Sequence, residues 1–307
     1  MEIILQLLLL AVGFVFLVKG ADYFVDGAAS VAAKFKIPQL IIGLTVVAMG
    51  TSAPEAAVSI SAAMAGSAEI TIGNIVGSNI LNILIILGVS SVITPLAIAK
   101  STIKIDIPVV VFASVLLILT GLDGNIVWWE GLIILLVFAA YITYLIISAK
   151  KNPSEAEEIK EMTLAKSLIF TVAGLAVVIL GSNVTVNSAT TLARMFGMSE
   201  RFIGLTIVAL GTSLPELFTS VMAAKKGNAD IAIGNIVGSN IFNILFVVGL
   251  SALVIPVPFD PEFMFDAIIS IVAAVALLVF SLKKMKLERW AGIAMLLGYA
   301  AYFVVIM

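Results

Sequence analysis

Two short stretches could do chemistry in an otherwise apolar chain. They are Ala48-Met49-Gly50-Thr51-Ser52-Ala53-Pro54-Glu55 and Ala209-Leu210-Gly211-Thr212-Ser213-Leu214-Pro215-Glu216. Each puts a carboxylate, two hydroxyls, a glycine and a proline in the middle of an apolar span, and an ionisable group at that depth is costly and functional by default. Pro54 and Pro215 remove a backbone donor and disfavour helical geometry at the residue before them. Gly50 and Gly211 are expected to loosen the helix further. Carbonyls from about 48 to 51 and from 209 to 212 should then lack intrahelical partners, which a membrane tolerates only if something satisfies them. A cation does so, and unwound carbonyls and half-helix ends are its usual ligands in transporters. Thr51 and Glu55 are four apart, as are Thr212 and Glu216, so each pair shares a face where the segment is helical. Two carboxylates, hydroxyls and carbonyls make an all-oxygen set suited to hard cations such as Na+ and Ca2+. A thiolate or imidazole site for softer metals is excluded, because the chain has no cysteine and no histidine.

A second paired element follows each of these. Gly73-Asn74-Ile75-Val76-Gly77-Ser78-Asn79 leads to Asn82, and Gly234 to Asn240 leads to Asn243. Ser78 with Asn82, and Ser239 with Asn243, are four apart and can line the site as neutral ligands. Asn74, Asn79, Asn235 and Asn240 fit interhelical hydrogen bonding as well as they fit ion binding. Asp22 and Asp26 share a helical face with Lys19 and read as an internal ion pair rather than as ion ligands.

The elements that must position these residues are membrane helices. The chain is 62% hydrophobic and 12% charged, with a mean hydropathy of +1.21, and a soluble domain would be about a quarter charged. Ten apolar spans can be marked: about 3–33, 40–65, 70–93, 107–120, 127–147, 167–193, 202–224, 231–254, 263–281 and 290–307. A crossing needs roughly 20 residues, so the fourth is short, and the first is long enough to tilt strongly or project into water. The runs are continuous rather than alternating, which argues against a barrel. Glu2 stands where a signal peptide would be basic, so residues 1–20 read as a retained first helix. Fourteen of the seventeen Lys and Arg fall in or beside odd-numbered connections, and only Arg194 and Arg201 in an even one. The positive-inside rule then puts the odd connections in the cytoplasm and both termini outside. Trp128, Trp129 and Trp290 stand at span starts, which suits interfacial anchors and equally suits plain lipid-facing aromatics.

Residues 40–95 align with 201–256 at a constant offset of 161, with 32 identities over 56 positions, including IGNIVGSNI in both. Apolar composition alone cannot match Gly, Asn and Ser in place, so the chain consists of two homologous halves. We place the first five-helix repeat at residues 1–150, a cytoplasmic linker at 151–164 and the second repeat at 165–307. Asn152-Pro153 marks a turn in that linker, and Ser154-Glu155-Ala156-Glu157 resembles a capping box before a short helix. The linker carboxylates Glu155, Glu157, Glu158 and Glu161 match no calcium loop and read as a solvated face. Because each half holds an odd number of spans, the second enters from the opposite side, which gives an all-α polytopic protein with inverted repeats and a site between them.

GTSAPE and GTSLPE, each followed by GNIVGSN, resemble the two alpha-repeats of the sodium/calcium exchanger family within the cation/calcium antiporter superfamily. The resemblance covers essentially the whole chain. It implies a prokaryotic plasma or inner-membrane antiporter that exchanges Na+ for Ca2+ by alternating access, with helices two and seven broken at the site. It also implies a compact bundle of helices two to five and seven to ten, across which helices one and six slide. By the same resemblance the calcium site falls on Thr51, Glu55, Thr212 and Glu216. The sodium sites fall on Ala48, Ser52, Ser78, Ala209, Ser213 and Ser239 with the same glutamates, and the central polar pair is Asn82 and Asn243. Asparagine at both central positions resembles the potassium-independent branch. The linker has no room for the large regulatory calcium-binding domains of some relatives. The expected partners are the lipid bilayer, Na+ and Ca2+, with no nucleic acid, no obligatory protein partner, no cofactor and no enzymatic activity. Proton/calcium or potassium-dependent exchange is the nearest rival reading. A passive cation channel is a rival of another class, and it would need a continuous pore. An intramembrane hydrolase is disfavoured by the lack of histidine.

Overall fold

The computed structural model describes residues 2–151, 162–198 and 209–306. The linker from Asn152 to Glu161, with its turn, capping box and carboxylates, lies outside the described residues, as do Arg201 and the start of the seventh span.

Among the described residues, eight helices are long and apolar enough to cross a membrane, and one bent pair makes a further span. In chain order they are α1 (Glu2–Lys34), the pair α2 (Gln39–Thr51) and α3 (Ala53–Met64), α4 (Ile70–Ile93), α5 (Thr102–Gly121), α6 (Trp128–Lys151) and α7 (Leu164–Met195). The seventh span is described from α8 (Ala209–Thr212) and α9 (Leu214–Lys225) onward. Then come α10 (Ala229–Val254), α11 (Glu262–Leu282) and α12 (Arg289–Ile306). The short fourth span of the sequence reading is corrected: α5 has 20 residues. It begins in a π-helical turn at Thr102–Asp106 that the polar residues Lys104 and Asp106 hide from a hydropathy scan. Asp106 is buried there and accepts a hydrogen bond from Tyr141 Oη at 3.0 Å, which makes a carboxylate tolerable inside the bundle. Trp128, Trp129 and Trp290 are all exposed at helix starts, as interfacial anchors and lipid-facing aromatics both would be.

Four two-residue strands reveal the symmetry. β1 (Leu96–Ala97) pairs with β4 (Lys286–Leu287), and β2 (Asn125–Ile126) pairs with β3 (Val257–Pro258). The offset of 161 carries β1 onto β3 and β2 onto β4, so the two-fold relation turns one miniature sheet into the other. β1 precedes α5 and β2 follows it, so the sheets cap opposite ends of the bundle. An axis that exchanges the two ends lies across the bundle and not along it, which makes the repeats inverted.

α10 is buried along nearly its whole length, as is much of α4, and together they form the centre. α1 and α7 lie apart from that centre as an antiparallel arm. A Cβ built on Gly20 would come within 2.7 Å of Val178 N, one on Gly174 within 2.5 Å of Phe24 N, and one on Gly181 within 2.8 Å of Leu17 N. Backbones this close need small residues. Most of α1 before Gly13 is exposed and faces outward from the bundle.

Candidate cation-binding site

The helix break falls at Ser52 and Ser213, whose backbones leave helical geometry at φ −82°, ψ 7° and φ −86°, ψ 4°. The chain resumes a helix at once, with Pro54 and Pro215 in the first turn, where a missing N–H costs nothing. The bend between α2 and α3 is 50°. Glu55 and Glu216 therefore stand in the first turns of new helices, whose unpaired N–H groups favour negative charge.

The glycines also have a packing role. Neither Gly50 nor Gly211 has a positive φ. They admit the arm: a Cβ at Gly50 would lie 2.9 Å from Leu175 Cδ2, and Val186 fills the space at Gly211. Pro215 cannot donate to the Gly211 carbonyl four residues earlier, and Ser182 Oγ of the arm donates to it instead at 2.7 Å. The expected lack of an intrahelical partner is corrected at Ala48, whose carbonyl accepts from Ser52 N at 3.0 Å and lies 3.4 Å from Ser239 Oγ.

The carboxylates are each 1% exposed, and their hydrogen bonds cross between repeats. Ser52 Oγ donates to Glu216 Oε1 at 2.8 Å, and Ser213 Oγ to Glu55 Oε1 at 3.5 Å. Thr51 Oγ1 donates within 3.0 Å of Asn235 Oδ1, and Asn235 Nδ2 donates to Ser220 Oγ at 2.9 Å and lies 3.4 Å from the Glu216 carbonyl. In the other half Asn74 Nδ2 donates to Ser59 Oγ at 2.9 Å and the Glu55 carbonyl at 3.2 Å. Asn79 and Asn240 each donate to the other's backbone carbonyl at 3.2 Å. Their side-chain oxygens accept from Asn243 Nδ2 at 3.1 Å and Asn82 Nδ2 at 3.0 Å. The four outer asparagines thus spend their amides on holding helices together.

Asn82 and Asn243 each open a π-helical turn, Asn82–Leu87 and Asn243–Val248, a local form that recurs at functional sites. Their amide nitrogens are used, but their Oδ1 atoms are not. Among the described residues, the buried side-chain atoms without a partner are Glu55 Oε2, Glu216 Oε2, Asn82 Oδ1, Asn243 Oδ1 and six hydroxyls. Hydroxyls can rotate to find a local acceptor. The two amide oxygens, and the two carboxylate oxygens when ionised, can only accept, so each calls for a donor or a cation. One carboxylate and one amide come from each repeat, on elements packed against one another. Thr51, Ser52, Ser78, Ser213 and Ser239 are all buried around them. The Ala209 side chain lies outside the described residues.

Sequence reasoning missed the serines that seat Asn74 and Asn235. Ser59 and Ser220 lie exactly one offset apart, so the repeat alignment carried the signal. The expected pairing of Asp22 and Asp26 with Lys19 is corrected: Lys226, two hundred residues away, is the cation they share. No short-range spacing could show that.

The chain matches the sodium/calcium exchanger protein family over residues 5–147 and 166–307. It is 33% identical, over an alignment of 349 positions, to the sodium/calcium exchanger MaX1 of Methanosarcina acetivorans, covering 99% of each chain. It is 36% identical to the inner membrane protein YrbG of Escherichia coli, over 82% of this chain and 81% of that one. A solved structure of the sodium-calcium exchanger NCX_Mj, soaked with zero Na+ and Ca2+, superposes with a TM-score of 0.88 at 32% identity, covering 99% of this chain and all of that one.

Proposed function

Because the chain belongs to the sodium/calcium exchanger protein family, we propose that it is a secondary antiporter that exchanges Na+ for Ca2+ by alternating access. The observation that carries this reading is the set of four partnerless acceptor oxygens at Glu55, Asn82, Glu216 and Asn243. Two negative charges and two neutral carbonyl-type oxygens match the demand of one Ca2+ for charge and hard ligands.

In this reading Ca2+ is held by Glu55, Glu216, Thr51 and Thr212, with the broken-helix carbonyls beside them. Na+ ions occupy smaller groupings of the same glutamates with Ser52, Ser78, Ser213, Ser239 and the carbonyls of Ala48 and Ala209. Asn82 and Asn243 keep the centre at two formal charges, which disfavours a role for K+. The two ions compete for the same glutamates, so binding one requires release of the other, and that competition is the coupling. Residues 1–150 and 165–307 act as the two repeats and 151–164 as a cytoplasmic linker. Both termini lie outside a prokaryotic plasma or inner membrane.

Ca2+ uptake into proteoliposomes under imposed gradients tests this. An outward Na+ gradient should drive uptake, and outward K+ or H+ gradients alone should not. Uptake driven by a proton gradient with Na+ absent would favour the rival proton/calcium exchange, and uptake without any opposing gradient would favour a channel.

A further inference from the structure

The repeats differ most where the arm meets the ion-binding helices. Leu17, Ala21 and Val178 of the arm pack on Leu214 and Phe218 with Met222 beside them. Phe14 and Phe218 bring their rings to 6.1 Å. Leu214, Phe218 and Met222 form one face of α9, the helix that carries Glu216. At the end of that face Lys226 reaches back to α1. Its ammonium lies 2.6 Å from Asp22 Oδ1, 2.8 Å from the Asp22 carbonyl and 2.5 Å from Asp26 Oδ1. The three side chains are 22%, 33% and 46% exposed, so the cluster stands at the boundary of the bundle rather than in its core.

The matching face of α3, the helix that carries Glu55, is built otherwise. At the offset of 161, Leu214, Phe218, Met222 and Lys226 become Ala53, Ala57, Ser61 and Ala65, and Asp22 and Asp26 become Asn183 and Asn187. All four of those α3 residues are exposed. The arm lies on α9 and leaves α3 uncovered.

In an inverted-repeat transporter the two access states are related by exchanging the conformations of the repeats. Exchange would carry the arm from α9 to α3, where it meets alanines and a serine in place of Leu, Phe and Met, and where no ion pair can form. We propose that Lys226 with Asp22 and Asp26 is a one-sided latch: a positioning device that holds the arm on α9 and makes the state closed at the Lys226 end the favoured one. The latch touches neither ion nor ion ligand. It acts on how often each face of the site is open, and a binding-competent state that is populated a fraction of the time lowers apparent affinity on that face by that fraction.

The proposal rests on the alternating-access reading, but its test does not depend on which ions are exchanged. The chain has no cysteine, so single thiols can report each face. Met222→Cys reports the covered face and Ala57→Cys the uncovered one, each probed with a membrane-impermeant maleimide added to the side on which that residue opens. Two backgrounds remove the latch, Lys226→Met and the double change Asp22→Asn with Asp26→Asn, which copies the second repeat. In both, labelling at 222 should rise about threefold and labelling at 57 should fall, the size expected for an ion pair at a half-exposed site. Unchanged rates at both positions overturn the proposal, and so does a rise at both, which would mean a loosened arm and not a shifted one. A gain-of-function variant covers the case in which the latch-free proteins fail to fold. Ala65→Lys with Asn183→Asp and Asn187→Asp builds a second latch on α3, and labelling at 57 should fall. No fall in that protein also overturns the proposal.

Discussion

Replacing Glu216 by glutamine isolates what its charge does, because the shape is kept. The Oε1 atom can still accept from Ser52 Oγ, now at 2.8 Å from Glu216. The partnerless Oε2 becomes an amide N–H2 aimed where the cation would sit. A unit charge about 2.5 Å from a divalent ion, at an effective dielectric of about 20, interacts by roughly 13 kcal/mol before costs. Desolvating each ion costs several kcal/mol. If two thirds of the gross term is offset, about 4 kcal/mol remains, a loss of about a thousandfold in Ca2+ affinity. The cation-free fold should not suffer, since the substitution removes one of two like charges buried together. Thermal melting of purified protein reads both statements. Ca2+ at 100 times its dissociation constant should stabilise the parent protein by about 2.7 kcal/mol. The same concentration should leave Glu216→Gln where it was, with a cation-free midpoint equal to or above the parent's. A Ca2+-dependent rise in the variant's midpoint comparable to the parent's would refute the assignment, and a fallen cation-free midpoint would refute the argument about like charges.

Exchange should be electrogenic. Two Na+ would balance Glu55 and Glu216, yet the buried hydroxyls of Thr51, Ser52, Ser78, Ser213 and Ser239 leave oxygen positions for a third; a potential should then contribute about 2.3 kcal/mol per charge per 100 mV, and equal Ca2+ uptake at both polarities of a clamped potential would count against three. Gly174→Ala should lower the melting midpoint by an amount corresponding to about 1–3 kcal/mol, because its Cβ would lie 2.5 Å from Phe24 N and 2.8 Å from Phe24 Cα; an unchanged midpoint would mean that α1 and α7 can part freely. Asn235→Ala should cost about 1–3 kcal/mol by removing the amide that donates to Ser220 Oγ and lies 3.4 Å from the Glu216 carbonyl, whereas an apolar substitution at exposed Leu136 should cost little. Outside the membrane, Lys284 and Trp290 hold the Glu288 carboxyl below its usual range through hydrogen bonds. The contact is complete above the ordinary carboxylate range and is lost as pH falls through the lowered value, so Trp290 emission, read with Trp128 and Trp129 replaced by Phe, should change only below the ordinary carboxylate range, and Glu288→Gln should abolish the change.

Much of this architecture is legible in sequence because the membrane makes each statement expensive. A glutamate in the middle of an apolar span must have a purpose, an offset that matches Gly, Asn and Ser in place reveals the duplication, and the odd number of spans in each half gives the inversion. What stayed hidden depends on contacts between distant segments. Thr51 and Glu55 are neighbours in sequence spacing, but the break at Ser52 turns each glutamate toward the other repeat's serine, and no periodicity encodes that crossing. Lys19 is one turn from Asp22, and spacing favours it, but the close packing of α1 on α7 and α9 brings Lys226 to the same carboxylates. Gly50 and Gly211 read in sequence as residues that loosen the helix; that they also admit Leu175 and Val186 follows only from the position of the arm. The start of α5 was lost because a π-helical turn can bury Asp106 beside a tyrosine that lies 35 residues downstream.

The reciprocal bonds of Asn79 and Asn240 have a historical implication. A residue that exchanges hydrogen bonds with its own counterpart is the contact of a two-fold homodimer, where one patch is complementary to itself. Two copies of a single five-helix chain, inserted in opposite orientations, would close this seam with the same asparagine on both sides. Such a pair could bind a cation between identical halves, but every substitution would appear twice. Joining the halves in one polypeptide removes that constraint. Position 65 can stay alanine while 226 becomes lysine, and 22 can carry a charge that 183 does not. The matched seam has the form of a self-complementary contact, and the unequal edges are what a single polypeptide permits: a carrier whose two faces can be tuned separately.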